Sequence, residues 1–135
     1  MSLQQVAHPI RQDTAVYITD EEGAAMARAA VNLFRHWCVT EAQACVLLGG
    51  ISKRTYARWK EGDIGRLTVD QKTRLSLIMG IHKALRILFV DPSRVYGWVK
   101  KANDAFGGES ALDIMLRGYL TDLMRVRHLL DAARG

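Results

Sequence analysis

The stretch TEAQACVLLGGISKRTYARWKEG, residues 40–62, decides the fold and organises the rest of the chain. Thr40 carries the capping signal of a short helix, and Gly49-Gly50 follows where the chain must reverse its direction. A tight turn between helices needs a positive φ, which glycine adopts without steric cost. Ser52 then caps a second helix, which we expect to stop at Gly62. The stretch therefore predicts a helix-turn-helix unit.

The second helix of this unit has an apolar side and a basic side. Its residues Ile51, Tyr56 and Trp59 share roughly one face, and we expect them to pack against Val46 and Leu47. The opposite face, together with the capping serine, holds Ser52, Lys53, Arg54, Thr55, Arg58 and Lys60. Lys and Arg neutralise phosphates, and Arg can also form two hydrogen bonds to guanine. This face therefore predicts contact with DNA, with base contacts in its first turn.

The alternative is a solvated basic face on an ordinary helical hairpin. Charge alone favours that alternative, because many proteins carry exposed cations without binding a polyanion. The ordered combination of glycine turn, capped entry, buried aromatic residues and basic outer face favours DNA contact instead. The double glycine departs from the commonest pattern, which has a single glycine, and leaves the geometry of the turn open.

Capping signals divide the rest of the chain into further helices. The expected elements are a helix from Thr19 to about Trp37, a long one from Thr68 to about Val90, a short one from Asp91-Pro92-Ser93 to about Ala102, a capped turn from Ser110 through Leu116, and a last helix from Tyr119 to Ala133 after a break at Gly118. No segment has a convincing strand pattern. The predicted fold class is all-α.

The long helix is apolar on most sides. Its apolar residues are Leu75, Leu77, Ile78, Met79, Ile81, Leu85, Leu88 and Phe89, whereas Lys72, Lys83 and Arg86 share one narrow stripe. Such a helix is normally the centre of a domain or part of a dimer interface. A single module of this size offers little contact area to DNA, so we expect a homodimer, with this helix as its preferred surface.

Composition sets the outer limits on function. The 135 residues are 49% hydrophobic, enough for a packed core, and carry a net charge of +5. No apolar run is long enough to span a membrane or to act as a signal peptide, so a cytoplasmic location is the default expectation. Two cysteines, Cys38 and Cys45, do not suffice for a disulfide framework or a metal site, and we expect structural roles for them.

We divide the chain into an arm at 1–18, a helix-turn-helix module at 19–66 and a helical module at 67–135. No catalytic constellation stands out, and no cofactor is expected. The loop Phe106-Gly107-Gly108-Glu109 lacks the preceding strand and following Lys of a phosphate loop. His82 is more simply a packed or surface residue than a metal ligand.

Two resemblances add to this interpretation. The stretch LLGGISKRTYARWKEG resembles Xre-type regulators, and the chain from the long helix onward resembles the toxin-binding domain of the Xre/MbcA/ParS antitoxin family. The marks of the second resemblance are Trp98, Asn103, Phe106-Gly107-Gly108, Ser110-Ala111-Leu112 and Leu116-Arg117-Gly118. Ser110-Ala111 stands where the family often has proline. The order of the two modules is more specific than either motif alone.

The resemblance implies an antitoxin paired with a RES-domain toxin, which consumes NAD or transfers its ADP-ribose to a protein. The antitoxin would cover the active-site cleft of the toxin and bind its own promoter. The toxin-binding residues are then expected on the last helix and at its end: Leu120, Met124, Arg127, Leu130, Asp131, Arg134 and Gly135.

The last helix also has a stripe of its own, which faces either the core or a partner. That stripe holds Leu123, Val126, Leu130 and Ala133. We expect Arg134 to meet acidic residues at the rim of the cleft and the terminal carboxylate to mimic an anionic substrate group. The alternative is that these last residues form a frayed tail.

Two other functions stay open at this point. The first is a plain transcriptional regulator whose C-terminal helices only dimerise, and the second is a small helical subunit of an enzyme. Binding of a toxin by the C-terminal half separates the antitoxin from the regulator, and turnover of NAD by the chain alone would favour the enzyme.

Overall fold

A computed structural model describes residues 17–135 of the chain. The predicted arm at 1–18 lies almost wholly outside the described residues and stays a prediction. Its last two residues, Tyr17 and Ile18, have no regular secondary structure and lead directly into the first helix.

Seven α-helices make up most of the described part. They are α1 (Asp20–Trp37), α2 (Glu41–Leu47), α3 (Lys53–Lys60), α4 (Val69–Leu88), α5 (Pro92–Gly97), α6 (Ala111–Met115) and α7 (Leu120–Arg134). Two 3-10 turns, Trp98–Lys100 and Asp104–Phe106, connect α5 to α6. Within residues 17–135 the only β-type pairing is an isolated bridge between Ala102 and Ser110. The all-α prediction is confirmed.

Side-chain caps begin these helices at the residues that the sequence indicated. The side chain of each cap accepts a hydrogen bond from the backbone N–H three residues on, and the side chain at that position accepts one from the backbone N–H of the cap. These reciprocal pairs are Thr19 with Glu22, Thr40 with Gln43, Thr68 with Gln71 and Ser110 with Asp113. Local chemistry alone therefore determines where these four helices begin.

Helix α4 is the central element of the fold. It packs against α1 on one side and against α7 on another. Its residues Leu75, Ile78, Ile81 and Leu85 are completely buried within one continuous hydrophobic core. Of the two roles expected for this helix, the central one is confirmed.

Two predicted boundaries were too long. Helix α4 ends at Leu88 rather than Val90, and Val90 is fully exposed. The backbone is already extended at Phe89 (φ −125°, ψ 138°), and it is extended again at Asp91, as expected for a residue that precedes a proline. Helix α5 ends at Gly97 rather than near Ala102, because the chain tightens there into a 3-10 turn that buries Val99.

The side-chain packing also differs from expectation at Val46. Leu47 packs in the core as predicted, whereas Val46 is exposed. The inward face of α2 is formed by Ala44, Leu47 and Leu48, and Val46 lies a quarter turn or more away from them. Its side chain instead lies near Gly118, two residues before α7.

The two cysteines have different environments. Cys45 is buried in α2, and this burial raises the pKa of its thiol. Cys38 is exposed at the C-terminal cap of α1, where its backbone has a positive φ of 56°. The expectation of a structural role is supported for Cys45 by its packing, whereas Cys38 contributes no buried side chain. None of the helices within residues 17–135 has the length and apolarity that a bilayer crossing requires.

Candidate DNA-binding and partner-binding surfaces

The turn between α2 and α3 requires glycine for two separate reasons. Gly49 and Gly50 have φ values of +88° and +86°, in the region that other residues rarely adopt. At Gly49 a Cβ atom would also lie 2.9 Å from Nε of Arg74 and 2.9 Å from Oδ2 of Asp70. The double glycine, which departs from the commonest pattern, therefore fits a turn that rests against α4.

The second helix of the unit packs into the core through its aromatic residues. Tyr56 and Trp59 are buried, and Ile51 is half-buried against the same core. Ser52 accepts a hydrogen bond from the backbone N–H of Thr55 and donates its hydroxyl to Oγ1 of Thr55. These contacts make Thr55 half-buried and part of the cap rather than a freely exposed side chain.

Two of the four cations on the outer face of α3 form ion pairs, and the other two do not. Arg58 forms an ion pair with Asp63, with Nε and Oδ2 3.2 Å apart, and Lys60 pairs with Glu41 at the start of α2. The hydrogen bond from Lys60 lowers the pKa of Glu41. Among the described residues, Lys53 and Arg54 have no ion pair and are exposed. The uncompensated charge of this face is therefore concentrated in the first turn of α3.

That position is electrostatically unusual for a cation. The N-terminal end of a helix carries a partial positive charge, which favours carboxylates and disfavours Lys and Arg. Helices α1, α2 and α4 each have an acidic residue in the first turn, whereas α3 has none. Lys53 and Arg54 thus add positive charge where the helix already supplies it, which makes this turn a favourable site for an anion.

Arg74 connects the turn to the last helix. Its side chain is largely buried, its Nε donates to Oδ2 of Asp70 at 2.9 Å, and its Nη1 donates to the carbonyl oxygen of Gly118 at 3.0 Å. Arg74 is not among the functional residues predicted from the sequence. The available signal was an Asp70–Arg74 pair at i,i+4 spacing on a helix otherwise rich in apolar residues.

The predicted toxin-binding residues lie at different depths along α7. Met124, Arg134 and Gly135 are exposed, whereas Leu120, Arg127 and Asp131 are half-buried. Leu130 is 2% exposed and packs in the core with Leu123 and Val126. The stripe that contains Leu130 is therefore core-facing, except for Ala133, which is exposed.

Three of these residues form a small ionic cluster beside α4. Asp131 lies between two cations: its Oδ2 is 3.2 Å from Nε of Arg127, and its Oδ1 is 3.8 Å from Nη1 of Arg134. Together with Ile87 of α4 they line an open hollow in the surface. The structure thus brings Arg127, Asp131, Arg134 and Gly135 together and leaves Leu120, Met124 and Leu130 out of this hollow.

Gly80 leaves the space that the guanidinium group of Arg127 occupies. A Cβ atom at this position would lie 2.0 Å from Nη1 of Arg127, so only glycine leaves room for the guanidinium group above α4. The sequence signal was a glycine in the middle of an apolar helix, where it costs about 1 kcal/mol relative to alanine and usually has a packing reason.

His82 packs against aromatic neighbours. The centroid of its ring lies 5.7 Å from that of Tyr96, which also stacks on His36 at 4.3 Å. Burial lowers the pKa of His82, and the neighbouring Arg86 and His36 lower it further. No group of three or more His, Cys, Asp or Glu side chains suited to a metal ion occurs in residues 17–135.

Comparison with known proteins gives a match in each half of the chain. Residues 17–80 match the Antitoxin Xre-like helix-turn-helix domain, and residues 84–135 match the Antitoxin Xre/MbcA/ParS C-terminal toxin-binding domain. Uncharacterized protein y4oB of Sinorhizobium fredii (strain NBRC 101917 / NGR234) is 44% identical over 99 residues, which are 73% of this chain and 76% of that protein. No solved structure matches the chain significantly.

The two matched ranges meet inside α4. The first takes in most of that helix, and the second begins near its end. The division at 66/67 stays a prediction. Because α4 packs against helices of both ranges, the two modules share one core rather than forming separate ones.

Proposed function

Because the chain belongs to the Xre/MbcA/ParS antitoxin family, we propose that it neutralises a RES-domain toxin and binds the promoter DNA of its own genes. The family and its two domains, in this order, support the role of an antitoxin in a toxin-antitoxin system. The nature of the toxin and the contact with DNA are the parts that we propose.

The observation that carries the DNA proposal is the first turn of α3. Lys53 and Arg54 are exposed, lack ion pairs among the described residues and stand at the positive end of a helix. A phosphate or a base edge at this point meets two cations and the free N–H groups of the helix together. Arg58 and Lys60 would reach DNA only by leaving Asp63 and Glu41, so we assign them a smaller share.

The DNA proposal is tested by titrating labelled upstream DNA with the full chain at several salt concentrations. Replacing both Lys53 and Arg54 by alanine should weaken binding about 100-fold and make it less dependent on salt, because fewer counterions are released. Lys101→Ala, which removes an exposed cation from the loop after Lys100, is the matched control and should leave binding unchanged. Equal affinity of the double variant and the unmodified chain would refute the assignment.

For the toxin we propose that the exposed end of α7 contacts the RES domain. Met124, Arg127, Asp131 and Arg134 are the available side chains, with Leu120 and Gly135 at either end, and Leu130 supports the helix from inside the core. Arg134 then meets acidic groups of the toxin at the rim of its NAD-binding cleft. Such a plug denies NAD access to the cleft without any chemistry by the antitoxin.

Co-purification and inhibition test this part. The tagged chain should retain a co-expressed RES-domain protein and suppress its consumption of NAD, whereas Arg134→Glu should weaken both effects. Arg125→Glu serves as control, since Arg125 lies on α7 but contacts Phe106 and Ala105 instead of the hollow. A deletion of residues 130–135 is a poorer test, because it also removes the buried Leu130.

The alternative is a transcriptional regulator whose C-terminal helices only dimerise. It predicts DNA binding without retention of any RES-domain protein, so the two experiments together separate it from the antitoxin. We propose that the chain is no enzyme, which turnover of NAD by the chain alone would contradict. We also propose that it acts as a homodimer in the cytoplasm, where promoter DNA lies, and sedimentation of the free chain tests the dimer.

A further inference from the structure

The outer face of α4 carries an exposed stripe that no other described helix covers. Lys83, Arg86 and Ile87 share one side of the last turns of α4, and Val90 follows two residues after the helix ends at Leu88. All four are exposed, with Ile87 at 54% and Val90 at 101%. We call these four residues the α4 strip.

The α4 strip continues into the surfaces on both of its sides. Ile87 also lines the hollow that contains Arg127 and Arg134 of α7. Arg86 and Val90 line a second hollow, whose other residues come from the end of α4 and from α5. The strip is therefore the middle of a longer surface that runs from α7 to α5.

The charge of this surface is strongly positive. Lys72, which shares the stripe of charges on α4, is compensated by Asp20 of α1 at 2.8 Å. Among the described residues, Lys83 and Arg86 have no ion pair, and the guanidinium of Arg94 in α5 lies 4.5 Å from the centroid of the Phe89 ring.

Carboxylates are few on the same surface. Asp131 is shared by Arg127 and Arg134, and Asp91 caps α5 through Ser93. The cations at this surface, Lys83, Arg86, Arg94, Arg127 and Arg134, therefore outnumber its two side-chain carboxylates, Asp91 and Asp131.

We propose that the α4 strip is a docking surface for an acidic face of the toxin, with Ile87 and Val90 as its apolar centre and the cations as its rim. An apolar centre within a charged rim is the usual anatomy of a protein interface. This inference rests on the proposed function, because it names the toxin as the partner. It extends the contact from the last helix to α4 and α5.

The same features argue against two other occupants. A second copy of the chain, docked through this face about a two-fold axis, would bring two positively charged faces together. DNA would match the charge, but its phosphates would not make apolar contacts that bury Ile87 and Val90. An acidic protein surface with an apolar patch satisfies both the charge and the exposed side chains.

The test measures the affinity of the full chain for a catalytically inactive RES-domain protein, encoded next to it, at low and high salt. The charge reversal Lys83→Glu with Arg86→Glu should weaken binding about 100-fold and remove most of its salt dependence. Val90→Asp should weaken it at least tenfold by placing a carboxylate in the apolar centre. Substituting lysine for acidic residues on the toxin should restore binding of the charge-reversed chain.

Matched controls come from the same chain. Val69→Asp changes an apolar residue that is 73% exposed at the other end of α4, and Arg28→Glu with Arg35→Glu reverses two exposed cations of α1. Both should bind the toxin as tightly as the unmodified chain. Thermal unfolding of every variant checks that its fold is intact.

The outcomes separate the two levels of the proposal. If the unmodified chain does not bind the RES-domain protein, the proposed function and this inference both fall. If it binds and the strip variants bind equally well, only the inference falls. It also falls if those variants dissociate a homodimer or lose affinity for DNA while they still bind the toxin normally.

Discussion

The basic face of α3 and the α4 strip are both positively charged, but they differ in where their residues come from in the sequence. The cations of α3 lie within nine consecutive residues, 52–60, and their capping serine, glycine turn and aromatic anchors are adjacent in sequence. The surface around the α4 strip takes its cations from α4, α5 and α7, and becomes continuous only when these helices pack together.

Their internal charge balance differs as well. On α3, the later cations Arg58 and Lys60 are paired with Asp63 and Glu41, and the free charge is confined to the first turn. On the α4 strip the exposed charge surrounds exposed apolar side chains. A compact cationic point suits a phosphate or a base edge, whereas a wide cationic rim around an apolar centre suits a folded partner.

The largest effect is expected at Arg74, which links the turn before α3 to Gly118 in the segment before α7. Arg74→Ala leaves the carbonyl of Gly118 and the carboxylate of Asp70 without their donor, and should lower the free energy of unfolding by about 2 kcal/mol. Arg117→Ala is the control: its exposed pair with Glu109 should contribute less than about 1 kcal/mol. Denaturant unfolding measures both, and equal small losses would show that the link through Arg74 is unimportant.

Gly80 tests the second region by itself. Gly80→Ala adds a methyl group where the guanidinium of Arg127 lies, and a flexible side chain can move away from it. The helix should gain up to about 1 kcal/mol from alanine, because glycine is the poorer helix former. We therefore expect an unchanged or higher Tm together with weaker toxin binding. A clear loss of stability would show that the side chain of Arg127 cannot move away from residue 80.

The basic face of α3 is tested by reversing the charge of Lys53 and Arg54. Replacing both by glutamate should stabilise α3 by about 0.3–1 kcal/mol through its dipole, while it abolishes binding to DNA. Thermal unfolding and DNA titration of the same preparation measure the two effects. Lower stability of this variant would mean that Lys53 and Arg54 make stabilising contacts in the folded protein that outweigh their unfavourable interaction with the helix dipole.

The smallest effect is expected from His82, which lies beside both Tyr96 and Arg86. Its pKa is lowered in the folded protein, so the unfolded chain binds its proton more tightly, and stability should fall as the pH drops below the ordinary value of 6.5. His82→Gln should flatten this decline between pH 7 and pH 5, as measured by denaturant unfolding. His128→Gln, which removes an exposed histidine, should leave it unchanged.

Much of the first region could be predicted from sequence because its determinants are local. A cap, a glycine turn and an apolar spacing each act within a few residues, and Thr40, Ser52, Tyr56 and Trp59 lie as expected. The failure at Val46 is instructive, since the predicted face was correct in outline and wrong by one position. Which of two neighbouring residues faces inward depends on how α2 packs against the rest of the core, and that packing involves residues distant in sequence.

The second region was predicted less well for the same reason. The periodicity of α7 could not distinguish a core-facing from a partner-facing stripe, and the structure places Leu130 in the core. Nothing in the sequence pairs Gly80 with Arg127, or Arg74 with Gly118, because those contacts join residues more than forty positions apart.

By itself, then, the sequence determined the helical class, the starts of the capped helices and a basic helix that follows a glycine turn. Those features depend on hydrogen bonds and periodicities within a turn or two of helix. Only the tertiary structure decided which cations stay uncompensated, which glycine gives room to an arginine, and that Ile87 and Val90 remain exposed among positive charges. Whether a charge is paired and whether a side chain is exposed depend on which residues lie nearby in space, and the packing of the helices determines those residues.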